Sequence, residues 1–231
     1  MLVALGALAG CSQPSTPTLA QQAAARAAAA NAAAQQRLTL FHKLLAMKRP
    51  QLAIPIGQEI LDKYPRTSAA TAVAKVLPGV KTRAAAMAEK TRLANLWSYQ
   101  VSPMAGGTQS TAAIDPSKPA GSKVELVLRR HSAWGTSTYL YDHAKGASFV
   151  CHGLCRIVMH FDGVEHVYRG YLPNGGEPAM FIKDYKGFVK RLAKAKVVDM
   201  DVAIKGSGKQ TLVFETGGFV ASKWLPLPKK K

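Results

Sequence analysis

The residues best suited to chemistry lie within five positions, Cys151-His152-Gly153-Leu154-Cys155. Two thiols and an imidazole offer three outlets. As thiolates joined by His160 or His166 they would give zinc its four donors. As a dithiol they would form a redox couple, although the two-residue spacing of thioredoxin-like sites is not met. As an oxidised pair they would close a short loop, worth less than the roughly 3 kcal/mol expected of a fifteen-residue one. Other nucleophilic arrangements are thin. Ser132 follows His131 and His143 follows Asp142, but no Gly-x-Ser-x-Gly elbow carries a serine. Gly206-Ser207-Gly208-Lys209 lacks the earlier glycine and the following Ser/Thr of a phosphate-binding loop, and reads as a hairpin turn.

The second chemical feature is positive charge. The 231 residues carry a formal net charge of +18, which favours anionic partners. Residues 37–100 hold eleven Lys/Arg against three Asp/Glu, residues 121–222 fourteen against nine, and the last nine residues four lysines and no acid. Within 184–196, Lys186, Lys190 and Lys194 recur every four residues, with Lys183, Arg191 and Lys196 near them, a basic stripe on a helix. Tyr185, Phe188, Val189 and Leu192 fill the opposite face. The plainer reading of this stripe is a solvated face over a packed one. The sharper reading makes Lys186, Lys190, Arg191 and Lys194 the contact with an anionic polymer or membrane. Aromatic residues are too sparse around it to stack bases, so nucleic acid is not the expected partner. No cofactor and no metal ligand set is expected.

The N-terminus sets an address. Leu8-Ala9-Gly10-Cys11 ends a short apolar run and resembles the lipobox of bacterial lipoproteins. That resemblance implies cleavage before Cys11, lipidation of its thiol, and anchoring in the cell envelope. Ser12, rather than Asp, implies the outer membrane facing the periplasm. No Lys or Arg precedes the apolar run, which departs from the usual charged leader and makes a start upstream of Met1, or a fragment, the expectation. The run of about ten apolar residues is half of what a membrane-spanning helix needs. With Cys11 lipidated, Cys151 and Cys155 are an even remainder in an oxidising compartment, and a disulfide becomes the preferred reading of the pair.

The elements that would position these groups follow in order. Residues 12–36 form an Ala/Gln-rich tether whose alanine part favours helix. Residues 37–100 form a helical region. Leu38, Phe41, Leu44 and Leu45 share one face; Leu52, Ile56, Ile60 and Leu61 share a second, with Pro55 in a first turn. Thr67 or Ser68 caps a third helix that Pro78-Gly79 should break, with a further helix from Val80 to Leu96. Ala53 to Ala70 resembles one tetratricopeptide half-repeat, and a single copy implies a small bundle more than a repeat array. Residues 101–122 are turn-rich and read as a linker or an exposed loop, with Ala112-Ala113-Ile114 as a candidate short strand inside it.

From 123 to 222 the apolar pattern has period two and predicts a β-domain of eight strands. These are Val124–Arg129, Ser137–Tyr141, Ala147–Cys151, Arg156–Phe161, Glu165–Tyr171, Ala179–Ile182, Val197–Ile204 and Gln210–Glu215. Asp162-Gly163 marks a tight hairpin. The fold class is therefore α+β, a helical spacer followed by a mostly antiparallel β-sandwich or open barrel with one amphipathic helix, then a basic tail over 223–231. Leu-Val-Leu-Arg from 126, Trp134-Gly135, the Cys-x3-Cys pair and Phe214-Glu215 are together distantly similar to the periplasmic β-domain of the invasion-associated locus B family. That resemblance implies structure and no activity. The expected function is that of a lipid-anchored, non-enzymatic envelope protein that meets an envelope protein, a cell-wall polymer or lipopolysaccharide. The alternative is an envelope hydrolase or zinc enzyme centred on Cys151, His152 and Cys155.

Overall fold

The structure is a computed structural model that describes residues 17–146 and 148–227. The chain is α+β. It divides into two compact units within its third helix, between Ala86 and Met87. Cys11 and the lysines at 229–231 lie outside the described residues.

The first unit contains three helices, α1 (Leu19–Ala46), α2 (Pro50–Lys63) and the first part of α3 (Ser68–Asn95). A capping box opens α1: Thr18 Oγ1 accepts from Gln21 N, and the Gln21 side chain accepts from Thr18 N. The alanine stretch is thus continuous helix with the amphipathic part that follows. Phe41 is fully buried at the centre of a core that is otherwise small or aliphatic: Ala34, Ala53, Ile60, Ala69, Val73, Leu77 and Val80. Gly57 lets α2 come close, because a Cβ there would lie 2.9 Å from the Phe41 ring and 3.0 Å from Leu77. Two expectations are corrected. Leu52 is exposed, and Ala53, Gly57 and Ile60 form the buried face of α2, with Pro55 in the helix interior. Pro78-Gly79 does not break α3. The proline forfeits one backbone hydrogen bond, but Leu77 and Val80 on either side are buried, and their packing holds the helix across the gap. Thr67 is the cap, its hydroxyl accepting from Ala70 N at 3.2 Å.

The second unit is one antiparallel nine-stranded sheet: β1 (Trp97–Met104), β2 (Gly107–Ile114), β3 (Val124–His131), β4 (Gly135–Asp142), β5 (Cys155–Phe161), β6 (Val164–Tyr171), β7 (Ala179–Ile182), β8 (Val198–Ile204) and β9 (Gly208–Phe214). Their spatial order is β1-β2-β3-β4-β7-β6-β5-β8-β9. Helix α4 (Tyr185–Leu192) lies between β7 and β8 in sequence. The sheet curls. Trp97 on the first strand and Phe214 on the last share one core with Leu126, Leu140, Met159, Met200 and, from α4, Phe188 and Leu192. Ser117 and Lys118, from the connection after β2, bond to Val213 on the outer edge of β9. This is the open-barrel form of the two expected architectures.

Alternation holds on β4, β5, β6 and β8, because the side chains of an antiparallel strand point alternately to the core and away, while β2, β3 and β7 bury consecutive residues. On β8, Val198, Met200, Val202 and Ile204 are buried. Asp162-Gly163 makes the expected hairpin, with both residues at positive φ, 50° and 84°. Asp162 also accepts from Lys196 N and Val197 N, which fixes the start of β8. Two further expectations are corrected. The segment 101–122 is no plain linker, because 97–114 forms the β1–β2 hairpin. Its Ser, Pro and Gly residues sit on an edge strand and at the turn, where an exposed face and a missing N–H are tolerated. The strand expected at Ala147–Cys151 reduces to one bridge, Phe149 to Ile204; Ala147 is outside the described residues.

Candidate functional site

Cys151 and Cys155 lie at disulfide distance, with Cα atoms 5.3 Å apart. Their position follows from topology. After β4 the chain must pass β7 and β6 before β5, and the connection 143–154 makes that passage. Cys155 is the first residue of β5, and Cys151 is the last turn of the passage before it. Val150 N donates to Ala203 O at 2.8 Å and Lys205 N to Ser148 O at 2.8 Å, so this segment borders β8 as well. A bonded pair has no thiolate to offer a metal. His152 is exposed, His160 pairs through Nδ1 with Asp199 at 3.1 Å, and His166 stacks edge-on against Phe161. Among the described residues no group of three or more His, Cys, Asp or Glu side chains is arranged to hold a metal ion. Nor do the histidine neighbours assemble a nucleophile. His131 Nδ1 accepts from Ala133 N and Trp134 N, Ser132 Oγ accepts from Thr108 N, and His143 pairs with Glu125.

The basic helix is shorter than expected, and its cations separate. Asp184 caps α4 by accepting from Gly187 N at 2.9 Å, and the helix ends at Leu192. Lys194 therefore lies beyond it, which corrects the three-lysine stripe. Ala193 N still bonds Val189 O, but Lys194 N bonds Arg191 O at 2.9 Å, a tighter turn in which the regular ladder ends. Phe188 is fully buried between Phe161 and Tyr168, with ring centroids 5.7 Å and 5.8 Å away. Lys186 and Lys190 stay in solvent. Arg191 instead turns toward the sheet, where its Nη1 donates to the Tyr168 hydroxyl at 3.1 Å.

That contact closes one side of a cleft of about 510 Å³. β7 is only four residues long and pairs with β6 at Gly170 and Tyr171 alone. Lys183 N then donates to Arg169 O, and the chain leaves for α4. The edge of β6 from His166 to Arg169 is left facing α4 across the opening. Tyr168, Arg169, Lys183, Asp184 and Arg191 line it. Burial pushes the Tyr168 hydroxyl above its ordinary range, and the Arg191 contact opposes that shift only in part. The phenol therefore stays protonated at neutral pH. Among the described residues, Arg169, Lys183, Lys186, Lys190, Arg191, Lys194 and Lys196 enter no ion pair with a carboxylate.

Sequence reasoning found Arg191, with Lys183 near it, but missed Tyr168 and Arg169. The signal was present in the alternation of β6, which places Tyr168 inward and Arg169 outward, but only the fold sets both against the helix. It also missed an aromatic row on the outer face. Arg129 lies over the Tyr139 ring at 5.1 Å, Tyr139 meets Phe181 at 4.9 Å, and Phe181 stacks on Tyr171 at 5.4 Å. These rings occupy one another's faces. No protein-family model matches the chain, and neither a curated protein nor a solved structure is significantly similar to it.

Proposed function

We propose that the chain is a lipid-anchored, non-enzymatic binding module of the bacterial cell envelope, tethered through Cys11 and presenting its sheet unit to an anionic partner. The observation that carries the binding half is the set of cations around α4 without a carboxylate partner, Arg169, Lys183, Lys186, Lys190 and Arg191. Cations without a carboxylate partner on an ordered surface raise the local potential and attract anions. The anchoring half rests on the spelling Leu8-Ala9-Gly10-Cys11. A lipid chain would give membrane attachment where no described helix is long and apolar enough to cross. The helical unit then acts as a spacer between anchor and sheet.

The test is fractionation of cells producing the full chain. Wild type is expected in the membrane pellet and resistant to high salt. Cys11→Ala is expected in the soluble fraction. A wild-type protein that is already soluble would defeat the anchor.

A further inference from the structure

We infer that the cleft between β6 and α4 is a binding site for a phosphate group, held by Arg191, Arg169 and Lys183 with the Tyr168 hydroxyl as a fourth donor. The inference rests on the reading of an anionic partner and names the group recognised and the residues that recognise it.

The charge count favours a doubly charged anion. Three cations line the cleft and one carboxylate, Asp184, opposes them, leaving an excess of two. Asp184 is already committed, because its Oδ1 accepts from Gly187 N to start α4. A phosphate monoester carries about −1.5 to −2 at neutral pH and three strong acceptor oxygens, which matches that excess better than a single carboxylate does. One donor is ordered in advance, and it holds Arg191 in turn. Tyr168 belongs to the packed core and is 5% exposed. Its oxygen accepts from Arg191 Nη1, which also donates to Gly187 O at 3.5 Å, so Nε and Nη2 are left for a ligand. The phenolic O–H has no acceptor among the described residues, and its raised pKa keeps that proton in place. Arginine's rigid fork suits two phosphate oxygens at once, and Lys183 adds a point charge. Lys183 and Arg169 are held together by the backbone bond between them at 2.9 Å.

The same chemistry is offered by free phosphate and by the headgroup of a phosphomonoester lipid. Two probes separate them: inorganic phosphate, and phosphatidylcholine vesicles with and without phosphatidic acid. Calorimetric titration of the full chain with inorganic phosphate at low salt is expected to saturate with a Kd of about 1 mM or tighter. Arg191→Gln and, separately, Lys183→Gln should each weaken binding by about tenfold or more, while Lys205→Gln, exposed after β8 and outside the cleft, should change it by less than about twofold. Lys183→Gln is exposed and leaves the core untouched, so its result stands even where Arg191→Gln loosens Tyr168. Phosphatidate-dependent vesicle binding that free phosphate competes away would place the group on a lipid; phosphate binding without vesicle binding would make it a soluble ligand. Absence of saturation below about 10 mM, or an equal loss in Lys205→Gln, would overturn the site, the latter because diffuse charge would then account for binding. Failure here with Cys11-dependent membrane attachment intact removes the site alone; a soluble wild type that still binds phosphate removes the anchor alone.

Discussion

Phe188→Ala is expected to destabilise the sheet unit by about 3–5 kcal/mol, the range for emptying a buried aromatic position. Phe188 is fully buried and meets Phe161 and Tyr168 edge to face. It and Leu192 are the side chains that seat α4 on the core. The cavity cannot close easily, because α4 is a helix of eight residues whose other apolar contacts are few. All three tryptophans, Trp97, Trp134 and Trp224, belong to this unit. Urea unfolding followed by tryptophan fluorescence therefore reports it without interference from the first unit. A loss below about 1 kcal/mol would show that α4 is not part of the core. Loosening α4 also moves Arg191, so phosphate binding is expected to fall in the same variant even at urea concentrations where the sheet remains folded.

Gly218→Ala is the second large effect. A Cβ at this position would run into the Leu93 carbonyl and Ala94 N, the backbone of the last turn of α3. Backbone cannot step aside as a side-chain end can, so the cost is expected to reach about 3 kcal/mol, the upper part of the overpacking range. Its neighbour supplies the control. At Gly217 a Cβ would find its nearest atom 3.4 Å away, an ordinary contact, and Gly217→Ala is expected to cost less than about 1 kcal/mol. Equal midpoints for the two variants would contradict the close approach at Gly218. The same junction carries a surface ion pair, Arg92 to Glu215 at 2.7 Å, and Arg92 holds the Glu215 carboxyl below its ordinary range.

Much of this was written locally. Asp184 announced the start of α4, Asp162-Gly163 announced the hairpin, and the strict alternation from Val198 to Ile204 announced which side chains face the core. Each of these depends on residues a few positions apart. What was hidden depends on neighbours brought from afar. The alternation Trp97, Tyr99, Val101 was present, but Ser, Pro and Gly around it gave the segment the composition of a linker. Only pairing with β2 and the covering of Trp97 by Phe219, with ring centroids at 4.9 Å, make it a strand. Pro78 was read by its local cost, and tertiary packing outweighed that cost. The Cys151–Cys155 pair was legible from spacing once Cys11 was set apart. The cleft was not, because Arg169, Lys183 and Arg191 come to one opening only where the β6–β7 pairing ends.

The brevity of β7 gives the sheet a seam. β1 to β4 form one meander, β5, β6, β8 and β9 form another group of adjacent hairpins, and in the strand order β7 stitches them, with three register pairs to β4 and two to β6, while Ser117 and Lys118 tie the first group to β9 at the far edge. Few hydrogen bonds cross there, and the outward aromatic row Tyr139–Phe181–Tyr171 runs across the same line like a clasp. The barrel is therefore expected to breathe along β7 before it unfolds elsewhere. Amide exchange at Phe181 and Ile182 should be the fastest among the paired core positions. Because Lys183 follows directly, an anion bridging it to Arg169 and Arg191 would staple the seam shut, and exchange at those two amides should slow when phosphate is added.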